Sequence, residues 1–168
     1  MKLTSFDAIV GALNAAKVRY LVVGGMAVNA HGYLRFTKDV DLVVRLATAD
    51  ILGAFKALAA IGYLPAVPIT AEQFADPDLR ESWRKKKGML VLKMWSDIHQ
   101  ETPIDIFVYE PFDFDLEYER AFQGAEDESP AARYVAIPAL IAMKREAGRA
   151  TDLVDIEKLR EIEKLSGQ

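Results

Sequence analysis

Apolar residues in this chain fall into short β-branched runs separated by stretches whose apolar positions recur every three to four residues. That alternation predicts strands interleaved with helices. Phe6, Ile9, Val10 and Leu13 share one side of a first helix, which Thr4 to Asp7 can cap and which runs to about Ala16. Tyr20-Leu21-Val22-Val23 reads as a buried strand ended by Gly24-Gly25, and Met26 to His31 as a short helix opening from that turn. A second apolar run, Asp39 to Val44, reads as another strand. Thr48 to Ile61 repeats Ile51, Leu52, Phe55, Leu58 and Ala59 at helical spacing and stops at Gly62. Tyr63 to Ile69, interrupted by Pro65 and Pro68, is at best an edge strand. Thr70 to Lys87 is polar, with short helical turns. Met89 to Trp95 and Pro103 to Tyr109 read as strands, Phe112 to Phe122 as an acid-rich helix, Gly124 to Pro130 as an acidic loop and Arg133 to Ile137 as a last short strand. Pro138 takes its favoured position at a helix start, Gly148 breaks that helix, and Ala150 to Leu165 forms a final amphipathic one. The order predicts an α+β fold: a small mixed sheet flanked by helices.

Composition narrows the class. The 168 residues suit one domain, 1–168, and an apolar fraction of 51% supports a proper core. No run is long and apolar enough to span a membrane, and the N-terminal stretch, which carries an acid and lacks a long apolar core, does not read as a signal peptide. There is no cysteine, so no disulfide and no thiolate metal site, and a cytoplasmic location is the expectation. With only His31 and His99 in the chain a histidine metal cluster is excluded, and His31 reads as a structural group at a helix end. A net charge of −4 argues against broad non-specific nucleic-acid binding while leaving room for a local basic groove.

The chemistry-bearing pattern lies between Tyr20 and Val44. A strand, a glycine turn and a helix start together make an anion site. The two glycines let the backbone come close to a bulky group and free its amides to donate. In the strand that follows, Asp39 and Asp41 stand at i and i+2 and so share one face. Carboxylates that close repel, and one takes up a proton unless a cation lies between them. An oxygen-only, carboxylate-rich site suits Mg²⁺. A phosphate cradle beside a carboxylate pair is what metal-assisted phosphoryl transfer requires. Arg35 and Lys38, just upstream, are either phosphate partners or solvated turn residues. Asp105 stands inside the apolar strand of Ile104, Ile106 and Val108, where an unpaired acid is costly.

The Gly-Gly turn, the short helix and the Asp-x-Asp strand resemble the nucleotidyltransferase superfamily, the group with a DNA polymerase β-like core. Within it, GGMAVNAHGYLRFTKDVDLVV is most similar to minimal bacterial members related to the AbiEii-type toxin nucleotidyltransferases. Their downstream Lys-x(4)-Arg-x(2)-Asp helix motif is matched by Lys144, Arg149 and Asp152. The resemblance implies a cleft between the sheet and the C-terminal helices. Asp39, Asp41 and Asp105 would be both catalytic and metal-binding there, holding two Mg²⁺ ions, with Mn²⁺ as a substitute. It implies a nucleoside triphosphate held by Gly24, Gly25, Arg35, Lys38, Lys144 and Arg149, with Asp152 holding Lys144 or Arg149 in place. A nucleoside monophosphate would pass to an acceptor hydroxyl on RNA, a small molecule or a protein. An antitoxin partner would follow from the toxin relatives.

Alternatives stand beside each of these assignments. Asp105 can be a structural salt-bridge partner, and Lys144, Arg149 and Asp152 a charged helix corner. The basic run Arg84 to Lys87 is a solvated loop or a grip for acceptor phosphates. The acids of Phe112 to Phe122 read best as an exposed helix face. The rival function is a non-catalytic binding module of a two-component system that keeps the fold. Acceptor, nucleotide and oligomeric state are not legible in the residues.

Overall fold

The β-branched run at Tyr20 becomes strand β1 (Tyr20–Val23), and all four of its residues are buried, as expected for a strand covered on both faces. The computed structural model describes residues 1–124 and 131–166, so most of the acidic segment expected between Gly124 and Pro130 lies outside the described residues. Strand β1 follows helix α1 (Leu3–Ala15) and leads into α2 (Gly24–Ala30) and β2 (Val40–Val44). Helix α3 (Thr48–Ala60), strand β3 (Leu64–Pro65), helices α4 (Ala71–Ala75) and α5 (Pro77–Lys87), and strands β4 (Val91–Trp95) and β5 (Ile104–Phe107) come next. The chain continues with α6 (Phe114–Glu119), β6 (Phe122–Gln123), β7 (Arg133–Tyr134), α7 (Ile137–Ala147) and α8 (Ala150–Ser166).

The strands form one seven-stranded mixed sheet in the order β3-β4-β5-β2-β1-β7-β6. β1 runs antiparallel to β2, and β2 runs parallel to β5, which turns back antiparallel to β4. Alternation sets the faces. Leu92, Met94, Ile104 and Ile106 enter the core, while Lys93, Asp105 and Phe107 occupy the more open face. Helices α7 and α8 pack on each other, and α2 lies against β1, β2 and α7.

Several boundaries differ from the sequence expectation. Gly24 and Gly25 are the first turn of α2 rather than a separate turn before it. The N-cap of α1 is Lys2, without a side-chain cap; Ser5 is buried inside the helix and shares a hydrogen bond with His99 Nδ1 at 3.0 Å. Arg84 to Lys87 is the last turn of α5, closed by Gly88 in the left-handed conformation, so the solvated-loop reading is corrected. A basic last turn is favoured by the negative end of the helix dipole. The helix expected over Phe112 to Phe122 shortens to α6, whose Asp113 accepts from the Leu116 amide. Asp115 on it pairs outward with Arg45, in keeping with an exposed acidic face. His31 donates from Nε2 to the Val135 carbonyl at 2.8 Å, a structural role at the end of α2.

Candidate active site

Sheet register gathers the acids. Val23 of β1 lies opposite Asp41 of β2, Asp41 lies opposite Asp105 of β5, and Asp105 lies opposite Lys93 of β4. A single row across four neighbouring strands therefore carries the backbone entry to Gly24, two carboxylates and an ammonium. Gly24 must lack a side chain: its φ is +64°, and a Cβ there would collide with Asp41 Oδ2. Gly25 faces elsewhere. A Cβ on it would stand 2.8 Å from Thr37 Cβ, so its bareness serves the packing of the 32–39 segment on α2.

Crowding of acids shows in their electrostatics. Burial, then the charges of Asp105 and Asp39, push the Asp41 pKa up to about 6, with Arg149 and Lys144 pulling the other way. Asp105 Oδ1 is buried, and its charged partner is Lys93 Nζ, at 3.0 Å. The same ammonium lies 3.9 Å from Asp39 Oδ2. Burial works against the Lys93 charge, yet Asp105, Asp39 and Asp41 outweigh it and hold its pKa above the ordinary lysine value.

Beside the row opens a cleft of about 400 Å³. Gly24, Asp41, Asp105, Lys144, Arg149 and Asp152 form its polar side. Leu90, Phe107, Tyr109, Pro111, Leu140 and Met143 form an apolar side, with Glu146 at its edge. The guanidinium of Arg84 stacks 4.0 Å over the Tyr109 ring, which brings the basic end of α5 next to the cleft.

The helix motif is held by a charge network. Lys144 is buried, with Nζ 3.2 Å from Asp152 Oδ1 and 2.7 Å from Asp155 Oδ2, both carboxylates being buried as well. Arg149, largely exposed, donates from Nε to Asp152 Oδ2 at 2.7 Å. Burial raises the Asp152 pKa, but Arg149 and Lys144 outweigh it and hold it below the usual aspartate range. Arg35 donates to Asp155 Oδ2 at 2.8 Å and so is drawn into this network.

The structure thus brings Gly24, Asp41, Asp105, Lys144, Arg149 and Asp152 to one cleft. Asp39 and Lys38 do not line this cleft; both line a separate surface hollow with Phe36. Lys93 and Asp155 were not singled out from sequence. The only signals were a lone lysine in the apolar strand Val91–Trp95 and an acid three residues after Asp152.

The donor chemistry of Asp41, Asp39 and Asp105 fits a hard divalent cation, and the charged partner of buried Asp105 Oδ1 is the Lys93 ammonium. As arranged here, no group of three acidic, histidine or cysteine side chains among the described residues converges tightly enough to enclose one, and Lys93 stands among the acids.

No family model and no curated protein sequence matches the chain. Among solved structures, the lincosamide antibiotic adenylyltransferase LnuA, bound to lincomycin, matches over 92% of this chain and 93% of its own, with a TM-score of 0.55 and 16% sequence identity. The match takes in nearly the whole of both chains, and on it the chain has a nucleotidyltransferase-like mixed α+β fold.

Proposed function

We propose that this chain is one nucleotidyltransferase domain that moves a nucleoside monophosphate from a nucleoside triphosphate to an acceptor hydroxyl. The observation that carries the reading is the placement of Asp41 and Asp105 side by side on the sheet, against bare Gly24, at the floor of a cleft with Lys144 and Arg149 on its other wall. The fold shared with an adenylyltransferase supports the class. Asp39, Asp41 and Asp105 are the residues that would hold divalent cations, Mg²⁺ or Mn²⁺, which when bound neutralise the triphosphate and polarise the α-phosphorus. Lys144 and Arg149 face the cleft as phosphate partners, Asp152 holding both in place. Asp105 takes the proton of the acceptor hydroxyl, whose oxygen bonds to the α-phosphorus as the bond to pyrophosphate breaks. The work is positioning and charge neutralisation.

The toxin-like assignment rests on the residue motifs, and a cytoplasmic location on composition. The acceptor stays within three classes: an RNA end, a small molecule, for which the lincosamide-bound neighbour is a precedent in this fold, or a protein side chain.

One observation favours the non-catalytic rival. Lys93 already neutralises part of the acidic row, so the acids can persist without a metal. The two readings separate on incubation with each labelled nucleoside triphosphate, Mg²⁺ and cell extract, run with Asp105→Asn beside the wild type. The enzyme reading expects a labelled acceptor. It also expects the mutant to bind Mg²⁺–nucleotide within about tenfold of wild type, roughly 1.4 kcal/mol. Transfer by that mutant should be slower by at least about a hundredfold. No labelled fraction with any nucleotide, or unchanged transfer in the mutant, refutes it.

A further inference from the structure

We propose that Lys93 is a built-in counter-ion that occupies the cation position of the acidic row, and that a divalent metal binds there only by displacing it. This rests on the reading of the row as a metal site and adds how the site is kept when empty.

Three observations carry it. First, strand pairing sets Lys93 directly opposite Asp105, which is itself opposite Asp41, so the ammonium is placed by the sheet and not by a loop. Second, Nζ stands 3.0 Å from Asp105 Oδ1 and 3.9 Å from Asp39 Oδ2, bridging two of the three acids that would bind metal. The oxygen of Asp105 that the ammonium holds, Oδ1, is thus one that a metal would need. An ammonium and a divalent cation cannot both sit against that oxygen without strong repulsion. Third, the lysine can leave. Its side chain is 50% exposed and alternates with the core residues Leu92 and Met94 on the open face of β4. A flexible four-carbon stem lets the head swing to water without disturbing the strand.

An ammonium that stayed in its ion pair would also repel a metal, but it would not become more accessible when the metal binds; release of the ammonium on metal binding is what marks displacement. A displaced counter-ion competes with the metal, so its removal strengthens metal binding.

The test compares wild type with Lys93→Met, which keeps the apolar stem, and Lys93→Gln, as a second variant should the first fold poorly. Mn²⁺ affinity is read by paramagnetic resonance, and thermal unfolding is followed in chelator and in saturating Mg²⁺. The expected result is Mn²⁺ binding at least about tenfold tighter in the variants, with a larger Mg²⁺-induced rise in unfolding temperature than in wild type. In wild type, Mg²⁺ should also speed acylation of Lys93, read by mass spectrometry, because the ammonium is released. Equal or weaker Mn²⁺ binding in the variants, with wild type binding Mn²⁺, overturns the inference and leaves the metal site standing. Acylation of Lys93 slowed or unchanged by Mg²⁺ overturns it too. Absence of Mn²⁺ binding in every form, with the double variant Asp39→Asn, Asp41→Asn as the negative control, removes the metal reading and the inference together.

Discussion

Asp41 is an acid kept where ionising is costly. Its folded pKa of about 6 exceeds the ordinary 3.8, so the folded state binds the extra proton between those values and stability falls as pH rises through that window. Below the ordinary value both states are protonated and the cost vanishes; above about pH 6 it is complete, at most about 3 kcal/mol for a shift of this size. Asp41→Asn should therefore stabilise the metal-free protein at pH 7 by about 1–3 kcal/mol, with the gain shrinking to nothing as pH drops to 3.5, as followed by urea unfolding across pH. A gain independent of pH would contradict this account. The two glycines part company in the same way. On sequence alone, Gly25→Val would be expected to block a phosphate. Against Thr37, a side chain there should instead lower stability by about 1–3 kcal/mol through overpacking, with calorimetry on the remaining folded protein showing near-normal nucleotide affinity. Gly24→Ala should do the reverse damage, displacing the Asp41 carboxylate from the row. The spacing of Asp39 and Asp41 was legible because a strand has period two. The orientation of adjacent glycines was not, since it depends on which neighbour each Cα meets after folding.

At the scale of elements, the junction of α7 and α8 is tied to the segment before β2 through Lys144, Asp155 and Arg35. Lys144 is the shared cation of two buried carboxylates. Lys144→Met should cost about 3–5 kcal/mol, because it removes the buried cation shared by two buried carboxylates and leaves each with one arginine partner. Arg35→Gln removes one partner from Asp155 while Lys144 remains, so its cost should stay near 1 kcal/mol. Denaturant titration distinguishes the two; equal losses would mean that Arg35, not Lys144, closes the network. The motif residues Lys144, Arg149 and Asp152 are close in sequence and could be read as a unit. The bond from Arg35 to Asp155 spans 120 positions and has no local signature. The role of Lys93 is hidden in the sequence for a related reason. A lysine in an apolar strand is visible, but its partner is set by the register of β4 on β5 across the connection between Trp95 and Ile104. In contrast, β1 is readable from its β-branched run, α3 from helical periodicity with a glycine stop, and α7 from its helix-starting proline.

For the molecule as a whole, α8 contributes both carboxylates of the network and the buried Ile156 and Leu159. A chain ending at residue 149 should lose cooperative thermal unfolding and bind a hydrophobic dye. A sharp transition in such a truncation would show that the cleft wall is dispensable to the core. The sheet has another consequence, which concerns how it ends. Its two border strands, β3 and β6, are two residues each, and β3 contains Pro65, which has no amide to donate. A long bare border invites other chains to add strands. Here the acidic row is carried in the middle of a sheet whose rims are too short to template such growth, so crowding and repeated partial unfolding have little edge from which to seed aggregation.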